Sequence, residues 1–174
     1  MGDAQLRRNG FTLLESVIVI SLLGLVGLSF AYLYTTAQRF MIQSINFSYS
    51  QGDASFALEH IRRHVAPATA IAVPAVGGSG NVLRFTWQPT AIQTSRISQY
   101  DIVNVTDLRY TPDIAAPGVY EEPNGVIAKG IRSIAFTRTT AGTVSIDVTA
   151  RRTGGSDTRE TRLQTNVSPR GVFQ

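Results

Sequence analysis

The chain has 174 residues, 43% of them hydrophobic and 16% charged, with a formal net charge of +4. It contains no cysteine, which excludes disulfides and thiolate-bound metal. A positive surplus this mild points to no particular partner, and the length suits one long helix with one modest domain rather than two ordinary domains.

The first predicted element is that helix. Residues 11–34 hold no Lys, Arg, His, Asp, Asn, Gln or Pro, and their single charge is Glu15. At 1.5 Å rise per residue such a run covers roughly 36 Å, against a hydrocarbon core of about 30 Å. Arg7 and Arg8 precede it and the next basic residue is Arg39, so the positive-inside rule puts the N-terminus in the cytoplasm and the rest outside. A secretory signal fits less well, because its apolar region usually runs only about 7 to 15 residues. An acidic residue at a membrane-helix centre costs about 2.5 to 3.5 kcal/mol on insertion scales. Glu15 therefore needs a partner. Cleavage between Gly10 and Phe11 would create an α-amino group four residues ahead of Glu15, on the same helix face. Gly24 and Gly27 read as packing or bending sites, since small residues let membrane helices approach closely.

No proline occurs between residues 11 and 66, so a single helix is expected over 11–66. In its second half Phe40, Phe47, Ala54, Ile61 and Ala68 recur at seven-residue spacing, with Leu58 and Val65 between them. This is an amphipathic stripe, expected to bury one face. Pro67 ends the helix, and Pro74 with Gly77-Gly78-Ser79-Gly80 makes a loop. The period then changes to two. A strand is expected over 82–87, with Leu83, Phe85 and Trp87 on one face. A second is expected over 98–105, with Tyr100, Ile102 and Asn104 on one face, and 107–110 extends the pairing. Residues 111–124 read as loop. Residues 131–138, 143–151 and 158–167 read as strands joined by turns at Ala141-Gly142 and Gly154-Gly155-Ser156-Asp157. Sequential strands with tight turns imply an antiparallel meander, whose apolar face the helix stripe would cover.

Arg7-Arg8-Asn9-Gly10-Phe11-Thr12-Leu13-Leu14-Glu15, together with the apolar helix it opens, resembles the prepilin signal of type IV pilins and type II secretion pseudopilins. The resemblance implies a pilin-like α+β fold, with a long N-terminal helix packed on an antiparallel sheet. It implies that a prepilin peptidase cuts after Gly10 and methylates Phe11. Residues 1–10 would be the removed leader, 11–38 the membrane and fibre-core half of the helix, and 39–174 a periplasmic head. Glu15 would neutralise the Phe11 amine of a neighbouring subunit and so set register. The head, with Ala57-Leu58-Glu59-His60-Ile61-Arg62-Arg63, Leu83-Arg84-Phe85, 97–109, 126–136 and Val167-Ser168-Pro169-Arg170, resembles J-type minor pseudopilins and the W group of minor pilins. The implied role is structural, at a fibre tip as in that subgroup. The implied partners are other pilin subunits, the peptidase and an inner-membrane assembly platform. The alternatives are a DNA-binding minor pilin and a major fibre subunit.

The remaining motifs carry little chemistry. His60 and His64 have the four-residue spacing of a zinc pair, but Glu59 precedes the first histidine instead of following it. Solvated or interface histidines are expected, with no metal, no cofactor and no enzymatic activity. Asp107, Asp113, Glu121 and Glu122 cluster around a loop without calcium-loop spacing. Arg132, Arg138, Arg151, Arg152, Arg159, Arg162 and Arg170 fall in the last strands and their flanks. Without interleaved aromatics they read as a solvated or subunit-interface face, not a nucleic-acid site.

Overall fold

Helix α1 spans Leu13–Val65, and its continuity follows from the absence of any proline in that stretch. The computed structural model describes residues 12–88, 94–116, 125–139, 142–154 and 157–170. The chain divides into two units, Met1–Ile42 and Gln43–Gln174. In the first unit the apolar side chains of α1 are exposed, from Leu13 and Leu14 to Leu33. The hydroxyls in this stretch turn back on the helix: Ser21 Oγ donates to the Val17 carbonyl at 2.8 Å and Ser29 Oγ to the Leu25 carbonyl at 2.9 Å. These serine hydroxyls are thereby satisfied within the helix.

In the second unit the strands are β1 (Ala70–Val73), β2 (Ser79–Gly80), β3 (Leu83–Trp87), β4 (Arg96–Val103), β5 (Asp107–Thr111), β6 (Val126–Ala128), β7 (Ile131–Arg138), β8 (Val144–Gly154) and β9 (Asp157–Val167). The class is α+β, as expected. Where one sheet was expected, however, the described strands form two. One has the order β1-β3-β4-β5-β6 and the other β2-β7-β8-β9. The reason is that β1, β2 and β6 are too short for a period to show in the sequence. Ser79 and Gly80, expected in a loop, pair with Thr137 and Phe136. β7, β8 and β9 form the expected antiparallel meander. β8 alternates cleanly, with Val144, Ile146, Val148 and Ala150 buried. β7 does not: a bulge between Ile131 and Ser133 leaves both Arg132 and Ser133 exposed. β4 ends at Val103, and Asn104 and Val105 turn with positive φ of 49° and 72°. Asn104 therefore lies in a turn and not on the strand face. The Ala141-Gly142 and Gly154–Asp157 turns fall partly outside the described residues.

The two sheets meet through named bonds. The Ile131 amide donates to the Thr106 carbonyl at 2.8 Å, and Arg138 Nη1 donates to the Ile71 carbonyl at 2.6 Å. The core between them and α1 holds Phe85, Tyr100, Leu108, Ile131, Phe136 and Ile146, all fully buried. From the helix it takes Ser50, Ala54, Ala57, Ile61 and Val65. The expected stripe is thus right in Ala54, Ile61 and Val65 and wrong in its aromatic members, since Phe40 and Phe47 are 65% and 48% exposed. A straight helix drifts by about 20° per heptad against a strict seven-residue repeat. The buried set instead follows spacings of three and four, and its alanines allow close approach to the sheets.

These burials set the cost of substitution. Ile61→Asp places an unpaired carboxylate in the core and should destabilise the second unit by more than about 4 kcal/mol. Phe47→Ser should stay within roughly 1 kcal/mol of the parent. Urea unfolding followed by circular dichroism distinguishes them, and equal losses in the two variants would contradict the assigned core.

Candidate functional site

Gly10 and Phe11 lie outside the described residues, whereas Glu15 lies within them. Thr12 caps α1: its Oγ1 accepts the Glu15 amide hydrogen at 3.2 Å. Thr12-Leu13-Leu14-Glu15 therefore has the spacing of a capping box, with the acid at the third helical position. Glu15 is exposed in the first turn, where the positive end of the helix dipole favours a carboxylate. The sequence carried this signal, and a reading confined to the membrane cost of Glu15 passes over it. A Cβ added at Gly24 or Gly27 would meet nothing within 4 Å. Nothing in the described part of the chain requires glycine there, so a packing role needs a second molecule. α1 contains one stretch long and apolar enough to cross a membrane, none of it buried. It is a candidate membrane span by length and composition.

The arginines of the last strands are largely engaged with acids. Arg162 Nε donates to Asp147 at 2.9 Å, and Arg132 pairs with Glu160. Arg152 Nη2 donates to Asp53 on α1 at 2.9 Å, with its guanidinium 5.7 Å from the Tyr49 ring. The Arg162 guanidinium holds the Asp147 carboxyl below its ordinary range. These partners lie on different strands or on the helix, so the pairings are invisible to a count of basic residues. In the acidic loop Asp113 accepts the Ala115 amide at 3.0 Å, and Asp107 accepts from Asn104 at 3.4 Å. Glu121 and Glu122 fall outside the described residues. Among those described, no group of three His, Asp or Glu is placed to hold a metal ion.

His60 and His64 were expected as solvated or interface side chains, and the structure does not leave them fully solvated. Both are half-buried, with near-parallel rings whose centroids lie 4.4 Å apart. Tyr100 and Tyr110 meet the His60 ring edge-on at 5.9 and 5.3 Å, and Tyr110 lies 4.7 Å from His64. His60 Nδ1 is 2.9 Å from the Tyr100 hydroxyl. The strands β4 and β5 bring these aromatics under the helix, an arrangement that no local pattern announces. A groove of about 310 Å³ opens on another side of α1, lined by Ser55, Leu58, Glu59, Arg62, Leu163, Gln164 and Thr165. Its Glu59 and Arg62 are bonded to each other at 2.8 Å.

No family model, curated protein or solved structure matches this chain.

Burial, and after it the charges of His64 and Arg63, push the His60 pKa down to about 4 from 6.5. The unfolded chain thus binds a proton at His60 that the folded chain refuses. The resulting stability is complete above pH 6.5, falls as pH drops through the interval to about 4, and changes no further below it. In His60→Phe this part of the pH dependence should disappear. Unfolding measured between pH 7 and 4 tests it, and identical slopes for parent and variant would assign the dependence elsewhere.

Proposed function

We propose that the chain is a structural subunit of a pilin-like fibre: a minor pilin or type II secretion pseudopilin, anchored in the inner membrane and then assembled. The observation that carries the reading is the Gly10-Phe11-Thr12-Leu13-Leu14-Glu15 motif at the head of one unbroken helix. That helix begins as a candidate membrane span and ends in the core of an antiparallel β unit. In this reading a prepilin peptidase removes residues 1–10, the N-terminus faces the cytoplasm and the β unit lies in the periplasm. The exposed apolar side of α1 is then the surface that neighbouring subunits cover. The resemblance of the head sequence to J-type pseudopilins favours a position in a tip complex, with the major-subunit role as the alternative. The acid partners of Arg132, Arg152 and Arg162 offset the basic face and favour subunit contact over the DNA-binding alternative.

The mature protein should begin at Phe11 and carry an N-methyl group. Mass spectrometry of the N-terminal peptide reads this directly, and a mature terminus inside the apolar run would identify an ordinary secretory signal instead.

Glu15 has two roles to separate, cap and charge. Opposite charges about 4 Å apart attract by roughly 4 kcal/mol at an effective dielectric of 20. If Glu15 pairs with the Phe11 amine of a neighbour, Glu15→Gln and Glu15→Ala should both be processed and inserted normally yet enter crosslinked fibre complexes at least tenfold less well. If Glu15 serves only to cap α1, Glu15→Gln assembles like the parent, because an amide also completes a capping box.

A further inference from the structure

β9 is the last strand of its sheet, and no described strand lies beyond it. Which of its backbone groups face the open edge follows from the bonds of β8. The Arg151 amide donates to the Gly130 carbonyl and the Thr139 amide to the Thr143 carbonyl. Odd-numbered residues of β8 therefore turn their backbone groups toward β7, and even-numbered ones toward β9. Val144, Ile146, Val148 and Ala150 stand opposite Val167, Thr165, Leu163 and Thr161, so these four residues of β9 are bonded to β8. The amides and carbonyls of Glu160, Arg162, Gln164 and Asn166 point to the open edge. Natural edges are often blunted by bulges, prolines or shortness. The eleven residues of β9 pair with β8 without a shift of register and include no proline.

The α1 side of this edge is grooved. α1 runs along β9 in the same direction: Ser50 meets Thr161, and the Ala66 carbonyl accepts the Arg170 amide. Between these contacts lies the groove of about 310 Å³, with Leu58 and Arg62 of α1 on one side and Leu163 and Gln164 of β9 on the other. The Gln164 side chain donates to Ser145 on the opposite face of the sheet, so its share of the groove is backbone. We propose that β9 accepts an extended strand of another protein, added antiparallel and bonded to these edge amides and carbonyls, with a small aliphatic side chain in the groove. An open strand edge selects extended backbone, and pockets at alternate positions select side chains. The residue opposite Leu163 faces α1 and meets Leu58, which suits valine. Its neighbours face outward beside Arg162, whose side chain stays 73% exposed although bonded to Asp147, and a carboxylate there gains a cross-strand partner. The occupant thus alternates aliphatic with acidic residues. The β9 of a second copy fits worse, because antiparallel pairing sets the two helices in opposite directions, whereas chains held in one membrane by the same helix carry it in the same direction. That choice of occupant rests on the membrane-anchored reading; strand addition itself does not.

The test uses the full-length protein in detergent micelles and a short capped peptide alternating valine with glutamate. Amide hydrogen exchange read by nuclear magnetic resonance should slow about tenfold or more at Arg162 and Gln164, and stay unchanged at Leu163 and Thr165, already bonded to β8. The same peptide N-methylated at its glutamates, which lose the amides that face β9, should bind about tenfold more weakly or worse. Gln164→Pro deletes an edge amide and no bond to β8, and Ser55→Trp fills the groove from α1; each should weaken binding by a similar factor. If Gln164→Pro unfolds, Ser55→Trp and the methylated peptide decide. Unchanged exchange at Arg162 and Gln164, or equal binding of the methylated peptide, overturns the proposal. Self-association of the unliganded protein that Gln164→Pro abolishes assigns the edge to a second copy and overturns it as well. A mature terminus inside the apolar run would remove the membrane-anchored reading and leave the peptide result standing.

Discussion

The packing of the last turns of α1 between two sheets is the constraint on which the second unit depends. Residues 50–65 give Ser50, Ala54, Ala57, Ile61 and Val65 to the core, and polar contacts pin the same segment to each sheet. Ser50 Oγ donates to the Phe47 carbonyl at 2.9 Å and lies 2.8 Å from Thr161 Oγ1 on β9, so it accepts the threonine proton. Asp53 holds Arg152 of β8, and His60 holds Tyr100 of β4. A helix fixed to both sheets also fixes their relation, which explains how strands as short as β1 and β6 persist at the margins. The chain closes on the same element: the Arg170 amide donates to the Ala66 carbonyl at 3.0 Å, just past the end of α1.

The polar contacts in this layer do different work from the apolar ones. Ala54 and Ala57 contribute little area; they set the distance at which larger side chains such as Phe136 and Ile146 interlock. Ser50 and Thr161 are buried and would each cost free energy if unpaired, and together they specify one register of helix on strand. The surface pair of Arg162 and Asp147 adds little stability, as exposed ion pairs generally do. It does cancel charge along β8 and β9, and so decides what that face presents to a partner.

The long elements were legible in the sequence for clear physical reasons. α1 announces itself by the lack of proline, and β8 by the alternation of Val144, Ile146, Val148 and Ala150 with polar residues. The short strands were not legible, because Ser79-Gly80 becomes a strand only by pairing with β7. The heptad of phenylalanines misled for a related reason. Hydrophobicity marks which residues avoid water, and among the described residues Phe40 and Phe47 stay exposed. At the N-terminus the motif residues were legible as letters, while the capping of Glu15 by Thr12 required geometry. The histidine cluster was the least legible of all, since Tyr100 is forty positions from His60.

The exposure of the apolar half of α1 bears on how one helix serves two surroundings. Its backbone hydrogen bonds lie within the helix between its ends, so the change of environment is written in the side chains. Leu, Val and Ile dominate to residue 28. Tyr32 and Tyr34 follow, both exposed, and Tyr34 Oη accepts from Gln38 Nε2 at 2.7 Å. Arg39 comes next. Tyrosine followed by amide and cation is the order in which a helix leaves hydrocarbon for water, with the aromatic ring at the interface. Phe40, Met41, Ile45 and Phe47 remain exposed beyond that point, where no lipid would cover them in a membrane-anchored chain. In the proposed reading this collar is satisfied only when other subunits arrive, so the free subunit carries uncovered apolar surface that assembly removes. On that reading the driving force for joining a fibre would reside in the segment just outside the membrane, and Glu15 would set register at the other end of the same helix.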